Sequence, residues 1–169
     1  FNVSRPTLYR WFGVDIPALP ALRETLLKAE AGDILELDEA WTFVRVKTEK
    51  QWLWTALCRR TRQIIAFVIG DHSRKTCLKL WSRIPDSYRR CSSFSDFWRA
   101  YQVLPPTHQM VGKEIGQTAH MERWYCTLRQ WMARLVRKTL SFSKSLRWHH
   151  LFIKWFIARY NLRILASLT

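Results

Sequence analysis

Three strand-like runs in the first half of the chain, at residues 34–46, 51–58 and 63–69, are rich in apolar, β-branched and aromatic residues. In the first run apolar and polar residues partly alternate, as in a β-strand, whose successive side chains point to opposite faces of a sheet. The connections between the runs are short and charged, which favours hairpins over long crossovers. The pattern therefore predicts an antiparallel meander of three strands.

Helices, with two short strands among them, are predicted after residue 73. A helix over residues 74–83 follows a capping sequence that ends in Ser73, and Pro85 stops it. An apolar stripe at helical spacing, which begins at Trp124, predicts a long helix. This long helix is predicted to span residues 118–138. The further predicted elements are a strand at residues 88–94, a helical turn at 98–101, a short strand at 109–111 and a last helix at 146–160.

The N-terminal segment carries a short helical pattern at residues 4–12. Ser4 can cap this helix, and Pro6 is allowed in its first turn. Apolar side chains share one side, while Arg5 and Arg10 stay exposed. The segment is similar to the recognition helix of a helix-turn-helix whose first helix is missing. A generic amphipathic helix is the alternative interpretation.

Two regions are predicted along the chain. Residues 1–31 are expected to be the remnant of a helix-turn-helix followed by a connecting helix at 21–31, which Gly32 ends. Residues 32–169 are expected to form the main domain. Its order of three strands, a helix, another strand and then helices fits a ribonuclease-H-like α/β arrangement. Because the chain begins with Phe1, we expect a piece of a longer protein.

The composition predicts a polyanionic partner. The 169 residues include 28 Lys and Arg but only 13 Asp and Glu, a net charge of +15. Such a charge is typical of nucleic-acid binding, with an anionic membrane surface or an RNA-packing role as alternatives. The four cysteines form no CxxC pair, which excludes a zinc ribbon within this sequence. No apolar run is long enough to span a bilayer, so we expect a cytoplasmic protein.

Glu122 is the last acidic residue, and Lys and Arg recur from there to the end of the chain. Basic surroundings attract phosphate, whereas a lone carboxylate among them repels it unless a divalent cation lies between the two. This combination predicts metal-dependent chemistry on a nucleic acid. An acid that stabilises a helix N-terminus is the alternative interpretation of Glu122.

Two further carboxylates are candidates for the same metal site, because two-metal phosphoryl transfer needs several acids that converge. Asp38 lies within the first strand, on the face opposite its apolar residues. Glu39 is the second choice there, since it points with the apolar set. Asp96 is predicted at the end of the fourth strand, where a helix N-cap is an equally good interpretation.

Basic side chains on the last two helices are candidate phosphate contacts. Arg129 follows Glu122 on the same helix face and can bind phosphate or brace the carboxylate. The remaining candidates are Arg134, Arg137, Lys138 and Lys144. An ordinary solvated helix face is the alternative, but exposed helices usually mix charges of both signs. His120 can orient water or phosphate, although a lone histidine is more often structural.

A nearly continuous block at residues 112–123, 127–130 and 135–144 resembles transposases of the bacterial insertion sequence one family. Residues 37–41 look like the first catalytic motif of that family. Residues 96–101 look like its second motif, an Asp-x-Trp-x-x-Tyr pattern. The resemblance covers roughly residues 33–161, and the positions around Glu122 depart from the family pattern at Ala119, Trp124 and Tyr125.

The resemblance implies a ribonuclease-H-like domain with a mixed sheet of three antiparallel strands plus parallel strands, flanked by helices. It also implies a catalytic triad of Asp38, Asp96 and Glu122 that holds two Mg²⁺ or Mn²⁺ ions. Family members cut the ends of an insertion sequence and join the 3′-hydroxyl to target DNA. The expected partners are double-stranded DNA, both element ends and target, and further copies of the chain in a homodimer or higher assembly on DNA, with no membrane. The resemblance also implies a prokaryotic, nucleoid-associated protein.

Two other functions stay open at this point. The chain can be a DNA-binding relic without catalysis, which would bind DNA equally well in EDTA. It can also be a basic structural protein of a ribonucleoprotein, which would prefer RNA and need no metal. Three plausible acids favour the enzyme, since a relic has no need to keep them.

Overall fold

A computed structural model describes residues 19–136 and 141–168, together with Ser4, Pro6, Thr7 and Arg10. Its centre is a five-stranded sheet in the order β3-β2-β1-β4-β5. The strands are β1 (Ile34–Val44), β2 (Val46–Cys58), β3 (Ile64–Gly70), β4 (Ser92–Ser95) and β5 (His108–Met110). Strands β1, β2 and β3 pair antiparallel, which confirms the predicted meander. Strands β4 and β5 join in parallel, and the result is a ribonuclease-H-like topology.

Within residues 19–136 and 141–168, four α-helices flank the sheet: α1 (Arg74–Arg83), α2 (Asp86–Arg89), α3 (Ala119–Trp131) and α4 (Leu146–Leu168). Helix α1 has its predicted bounds, and the Ser73 hydroxyl accepts a hydrogen bond from the Thr76 amide at its first turn. Short 3-10 turns lie at Leu22–Thr25, Arg99–Val103, Lys113–Ile115 and Ala133–Leu135. None of the helices in the described ranges is long and apolar enough to cross a membrane.

The two faces of the sheet carry separate cores because successive strand residues point in opposite directions. Leu37 and Trp54 belong to the core beneath α1, and the Trp54 indole donates to the Asp71 carbonyl oxygen at 2.9 Å. Leu53, the residue before Trp54, belongs instead to the core beneath α3 and α4. The alternating direction of side chains along each strand therefore separates these two cores.

The predicted strand at residues 88–94 is wrong in its first half. Tyr88 and Arg89 lie in α2, where both of their amides donate to the Pro85 carbonyl oxygen. The Tyr88 ring is buried, and its hydroxyl donates to the Leu27 carbonyl oxygen at 2.9 Å. Aromatic residues are typical of strands, so Tyr88 makes this segment resemble a strand in the sequence. The strand β4 begins only at Ser92.

Three helix predictions also need correction. The connecting helix expected at 21–31 is a single 3-10 turn, because the Leu27 amide leaves the helical pattern and donates to the Gln63 side chain. The long helix predicted at 118–138 ends at Trp131, where Met132 turns away with φ −120° and ψ 88°. The last helix continues past residue 160 to Leu168.

The predicted N-terminal helix falls largely outside the described residues. At its start, the Ser4 hydroxyl accepts a hydrogen bond from the Thr7 amide, as expected of a cap. Thr25 packs against the main domain, since the Asn161 side chain of α4 donates to its hydroxyl at 3.2 Å. The division of the chain at residue 31 stays a prediction.

Candidate active site

The candidate site lies where two parallel strands separate. Strand β1 pairs with β4 only over Ile34–Glu36 and Ser92–Phe94, and β1 then continues without β4 beside it. Asp38 lies two residues past the last pair, and Asp96 follows the last residue of β4. Side chains at such a crevice, outside the ends of parallel strands, are well placed to hold a ligand.

Three carboxylates converge in this crevice. Asp38, Glu39 and Asp96 each offer one oxygen, and the three oxygens lie within 4.8 Å of one another. The Glu39 amide donates to Asp38 Oδ1 at 2.8 Å, while the Trp98 amide donates to Asp96 Oδ1 at 3.0 Å. Carboxylate oxygens are the ligands that hard divalent cations prefer, so the donor set fits Mg²⁺ or Mn²⁺.

The Glu39 side chain is enclosed within the cluster and is only 7 % exposed. His72 Nε2 donates to one of its oxygens at 2.9 Å, and the Tyr101 hydroxyl donates to the other at 2.6 Å. Burial raises the pKa of Glu39 above its usual value, and the negative charge of Asp96 acts in the same direction. The two hydrogen bonds lower this pKa but do not offset the effect of burial. A cation in the cluster would reverse this preference and favour the ionised carboxylate.

A second buried carboxylate fixes α3 to the sheet. Glu36 accepts from Arg59 Nε at 2.9 Å, from His120 Nδ1 at 2.6 Å and from the Met121 amide at 2.9 Å. Burial raises the pKa of Glu36, while the Met121 amide and the Arg59 guanidinium oppose that shift. The His120 contact with Glu36 supports the structural interpretation of that histidine.

Glu122 lies in the first turn of α3 and is exposed. Its helix is anchored along β1 at two points, because the Met121 amide reaches Glu36 and the Tyr125 hydroxyl lies 3.0 Å from the Asp38 carbonyl oxygen. Among the described acids, Glu122 is not part of the convergent group. The structure thus brings Asp38 and Asp96 together with Glu39, and the place of Glu122 in the triad stays a prediction.

The predicted phosphate contacts have different surroundings. The Arg129 guanidinium lies 5.9 Å from the centroid of the Tyr125 ring, and the Arg134 guanidinium lies 3.7 Å from that of Phe152. Lys144 is exposed, as is Arg10. The other three candidates, Arg5, Arg137 and Lys138, lie outside the described residues. Their roles on DNA stay predictions.

Sequence reasoning gave too little weight to Glu39 and did not assign His72 to the site. The strand period places Glu39 on the α1 side of the sheet, where it pairs in register with Trp54. Its carboxylate nevertheless reaches the crevice beside Asp38. The signal that could have found it is the adjacency of two acids within one buried strand, since each needs a partner or a cation there.

The fold and the carboxylate cluster together define a ribonuclease-H-like α/β domain with a candidate cation site between two parallel strands. The family described as IS1 transposase matches residues 33–163 of this chain. This span covers the whole sheet, the crevice and all of α3, and most of α4.

Curated relatives agree with the family match. The insertion element iso-IS1n protein InsB of Shigella dysenteriae is 34 % identical over 128 residues, which cover 75 % of this chain and 95 % of that protein. The insertion element IS1 2 protein InsB of Escherichia coli K12 is 31 % identical over 153 residues, 86 % of this chain and 90 % of that protein. The chain therefore belongs to the IS1 transposase family.

Proposed function

We propose that this chain is a metal-dependent transposase that cuts the ends of an insertion sequence and joins the 3′-hydroxyl to target DNA. The observation that carries the proposal is the convergence of Asp38, Glu39 and Asp96 where β1 and β4 separate, in a member of this family. Water attack at the element end would release the 3′-hydroxyl. Attack of that hydroxyl on target DNA would then form one phosphodiester as another breaks, with no need for ATP.

Asp38, Asp96 and Glu122 are the proposed triad, and they would hold two Mg²⁺ or Mn²⁺ ions. Bound there, the ions would supply an activated nucleophile and charge stabilisation of the leaving 3′-oxygen. The backbone of Asp38 is held in place, since its carbonyl oxygen lies within hydrogen-bond distance of Thr55 and Tyr125. Glu122 would approach from α3, whose position along β1 the Met121 and Tyr125 contacts fix.

DNA would approach along the basic side of the molecule. Arg129, Arg134 and Lys144, together with Arg137 and Lys138, would neutralise phosphates, and Arg5 and Arg10 would add contacts from the N-terminal segment. Such contacts position the duplex and do not read its sequence. We propose double-stranded DNA and a second copy of the chain as partners, with the bacterial nucleoid as the place of action.

Nicking of supercoiled plasmid tests the chemistry. The wild-type chain is expected to nick in Mg²⁺ or Mn²⁺ and to stop in EDTA, and Asp38→Asn, Asp96→Asn and Glu122→Gln are expected to abolish nicking while the chain stays folded. Glu49→Gln, an exposed position on β2, is the matched control and should nick like wild type. Unchanged nicking by any one of the three variants would remove that residue from the triad.

A DNA-binding relic without catalysis is the second candidate function, and the position of Glu122 outside the convergent group favours it. This candidate predicts DNA binding that is equal in Mg²⁺ and in EDTA, with no nicking by wild type under either condition. Divalent-dependent nicking that Asp38→Asn abolishes would exclude it.

A further inference from the structure

Aromatic rings, in addition to carboxylates, line the cavity at the mouth of the candidate site. This cavity of about 440 Å³ is lined by Glu39, Trp52, His72, Asp96, Phe97, Trp98 and Val111. Its size falls within the range of ordinary ligand pockets, about 300–1,000 Å³. A cavity that has two acids and several aromatic faces suits a flat, uncharged group better than a phosphate.

Three of the rings form a parallel stack. The His72 imidazole lies between Trp52, at 3.7 Å and 5°, and Trp98, at 4.1 Å and 3°. The hydrogen bond from His72 Nε2 to Glu39 fixes the middle ring. The stack is thus attached to the carboxylate cluster through one of its own members.

Phe97 extends this aromatic surface toward solvent. It is 66 % exposed, and the adjacent Trp98 is 37 % exposed. Their loop is held in shape, since Asp96 Oδ1 accepts from the Trp98 amide and the Ser95 hydroxyl donates to the Asp96 carbonyl oxygen at 2.9 Å. An exposed phenyl ring on an ordered loop next to a candidate catalytic carboxylate is available to stack on a ligand.

We propose that Phe97 and the Trp52–His72–Trp98 stack form a platform for an unpaired nucleobase beside the phosphate that is cut. Every base has a π-face, so aromatic stacking holds an unpaired base with little regard to sequence. The platform would select DNA ends whose terminal bases are unpaired, and with cations bound it would place the neighbouring phosphate at Asp38 and Asp96. This inference rests on the proposed function.

Charge supports a base over a phosphate at this position. Asp96 and Glu39 line the same cavity, and without a bound cation they repel a phosphate that enters it. A neutral base meets no such repulsion, and it covers the apolar face of Phe97. The phosphates on either side of the base would then lie toward the basic surface and the metal site.

Binding in EDTA tests the platform separately from catalysis. The probes are two DNA duplexes with 2-aminopurine near one end, one fully paired and one with two unpaired terminal bases. Wild type is expected to bind the unpaired end about 5- to 150-fold more tightly, the range that one stacked base supplies, and to quench its fluorescence. Phe97→Ala should lose both the preference and the quenching, while Phe97→Trp should retain them.

Trp131→Ala is the matched control, because Trp131 is equally exposed at 62 % but lies at the end of α3 in a different groove. It should keep the preference for unpaired ends, and circular dichroism should show Phe97→Ala folded.

Asp96→Asn separates the two proposals, since it should lose nicking but still quench 2-aminopurine. Equal affinity of wild type for paired and unpaired ends, or an equal loss on both probes in Phe97→Ala, would overturn the platform.

Discussion

Glu39→Gln is expected to make the metal-free protein more stable at pH 8. The variant keeps the size of the side chain, and an amide can still contact His72 and Tyr101. What it removes is one negative charge from a cluster of three. Because burial raises the pKa of Glu39 in the folded chain, its ionisation costs stability.

The magnitude follows from the geometry of the cluster. The ligand oxygens of Asp38, Glu39 and Asp96 lie within 4.8 Å of one another. Two unit charges at that separation repel by roughly 3 kcal/mol at an effective dielectric of about 20, and by roughly 1 kcal/mol in bulk water. The hydrogen bonds from His72 and Tyr101 to the Glu39 carboxylate offset part of this repulsion, so we expect Glu39→Gln to add about 1–3 kcal/mol to the free energy of unfolding.

The pH dependence has a defined sign. A raised folded-state pKa means that the contribution of Glu39 to stability is fully present below its usual value of 4.5 and is lost as the pH rises through the raised pKa. The advantage of Glu39→Gln should therefore be present at pH 8 and vanish at about pH 4. Added Mg²⁺ should reduce this advantage, since a ligand at 100 times its Kd stabilises wild type by about 2.7 kcal/mol and the variant by less.

Urea unfolding in EDTA at both pH values, repeated with Mg²⁺ at pH 8, measures these differences. Glu49→Gln is the control for the loss of an exposed carboxylate, and it should stay within about 0.5 kcal/mol of wild type. A Glu39→Gln protein that is less stable than wild type at pH 8 in EDTA, or one that Mg²⁺ stabilises as strongly as wild type, would refute the reasoning.

Three further outcomes are expected. Asn161→Ala should lower the free energy of unfolding, measured in urea, by about 2–5 kcal/mol. The Asn161 side chain bonds the buried Ile64 amide at 2.9 Å and its carbonyl oxygen at 2.8 Å, and the substitution leaves both without these partners. A loss below about 1 kcal/mol would contradict this. Tyr125→Phe should cost about 1–3 kcal/mol by the same assay, since its buried hydroxyl contacts Thr55 at 2.7 Å, and no change would show that water replaces it. DNA affinity measured by fluorescence anisotropy should fall about a thousandfold or more between 50 and 200 mM salt if about six phosphates are neutralised, whereas a flat response would argue against the basic surface.

Much of the fold is predictable because strands buried on both faces of the sheet need long apolar runs, and short charged connections separate the first three of these runs in the sequence. The errors occur where one tertiary contact decides the local structure. Tyr88 is buried in a short helix that starts at Pro85, and its apolar ring looks like part of a strand in sequence. Met132 ends α3 although the apolar spacing continues to Leu135, which is buried from a separate 3-10 turn.

The candidate site is predictable only in part. The positions of Asp38 and Asp96 follow from strand ends and alternation, and the structure brings them together. Alternation places the Glu39 side chain on the face opposite Asp38, so it could not predict that the two carboxylates meet. They meet in the crevice where β1 and β4 separate, and no local pattern encodes that separation. The role of His72 likewise depends on two tryptophans that are distant in sequence.

In the proposed function, the separation of positive and negative charge in this chain would place DNA binding and DNA cutting on different surfaces. Acids converge at the open edge of β1, whereas no acid follows Glu122, and α4 carries only basic charges, Arg147, Lys154, Arg159 and Arg163. Phosphates are attracted to the helical side and repelled by the metal-free cluster. If the proposed function holds, a DNA strand would bind without a cation but would be cut only when cations offset that repulsion. EDTA should accordingly abolish nicking and leave salt-sensitive binding intact, and loss of both together would place phosphate binding at the carboxylates themselves.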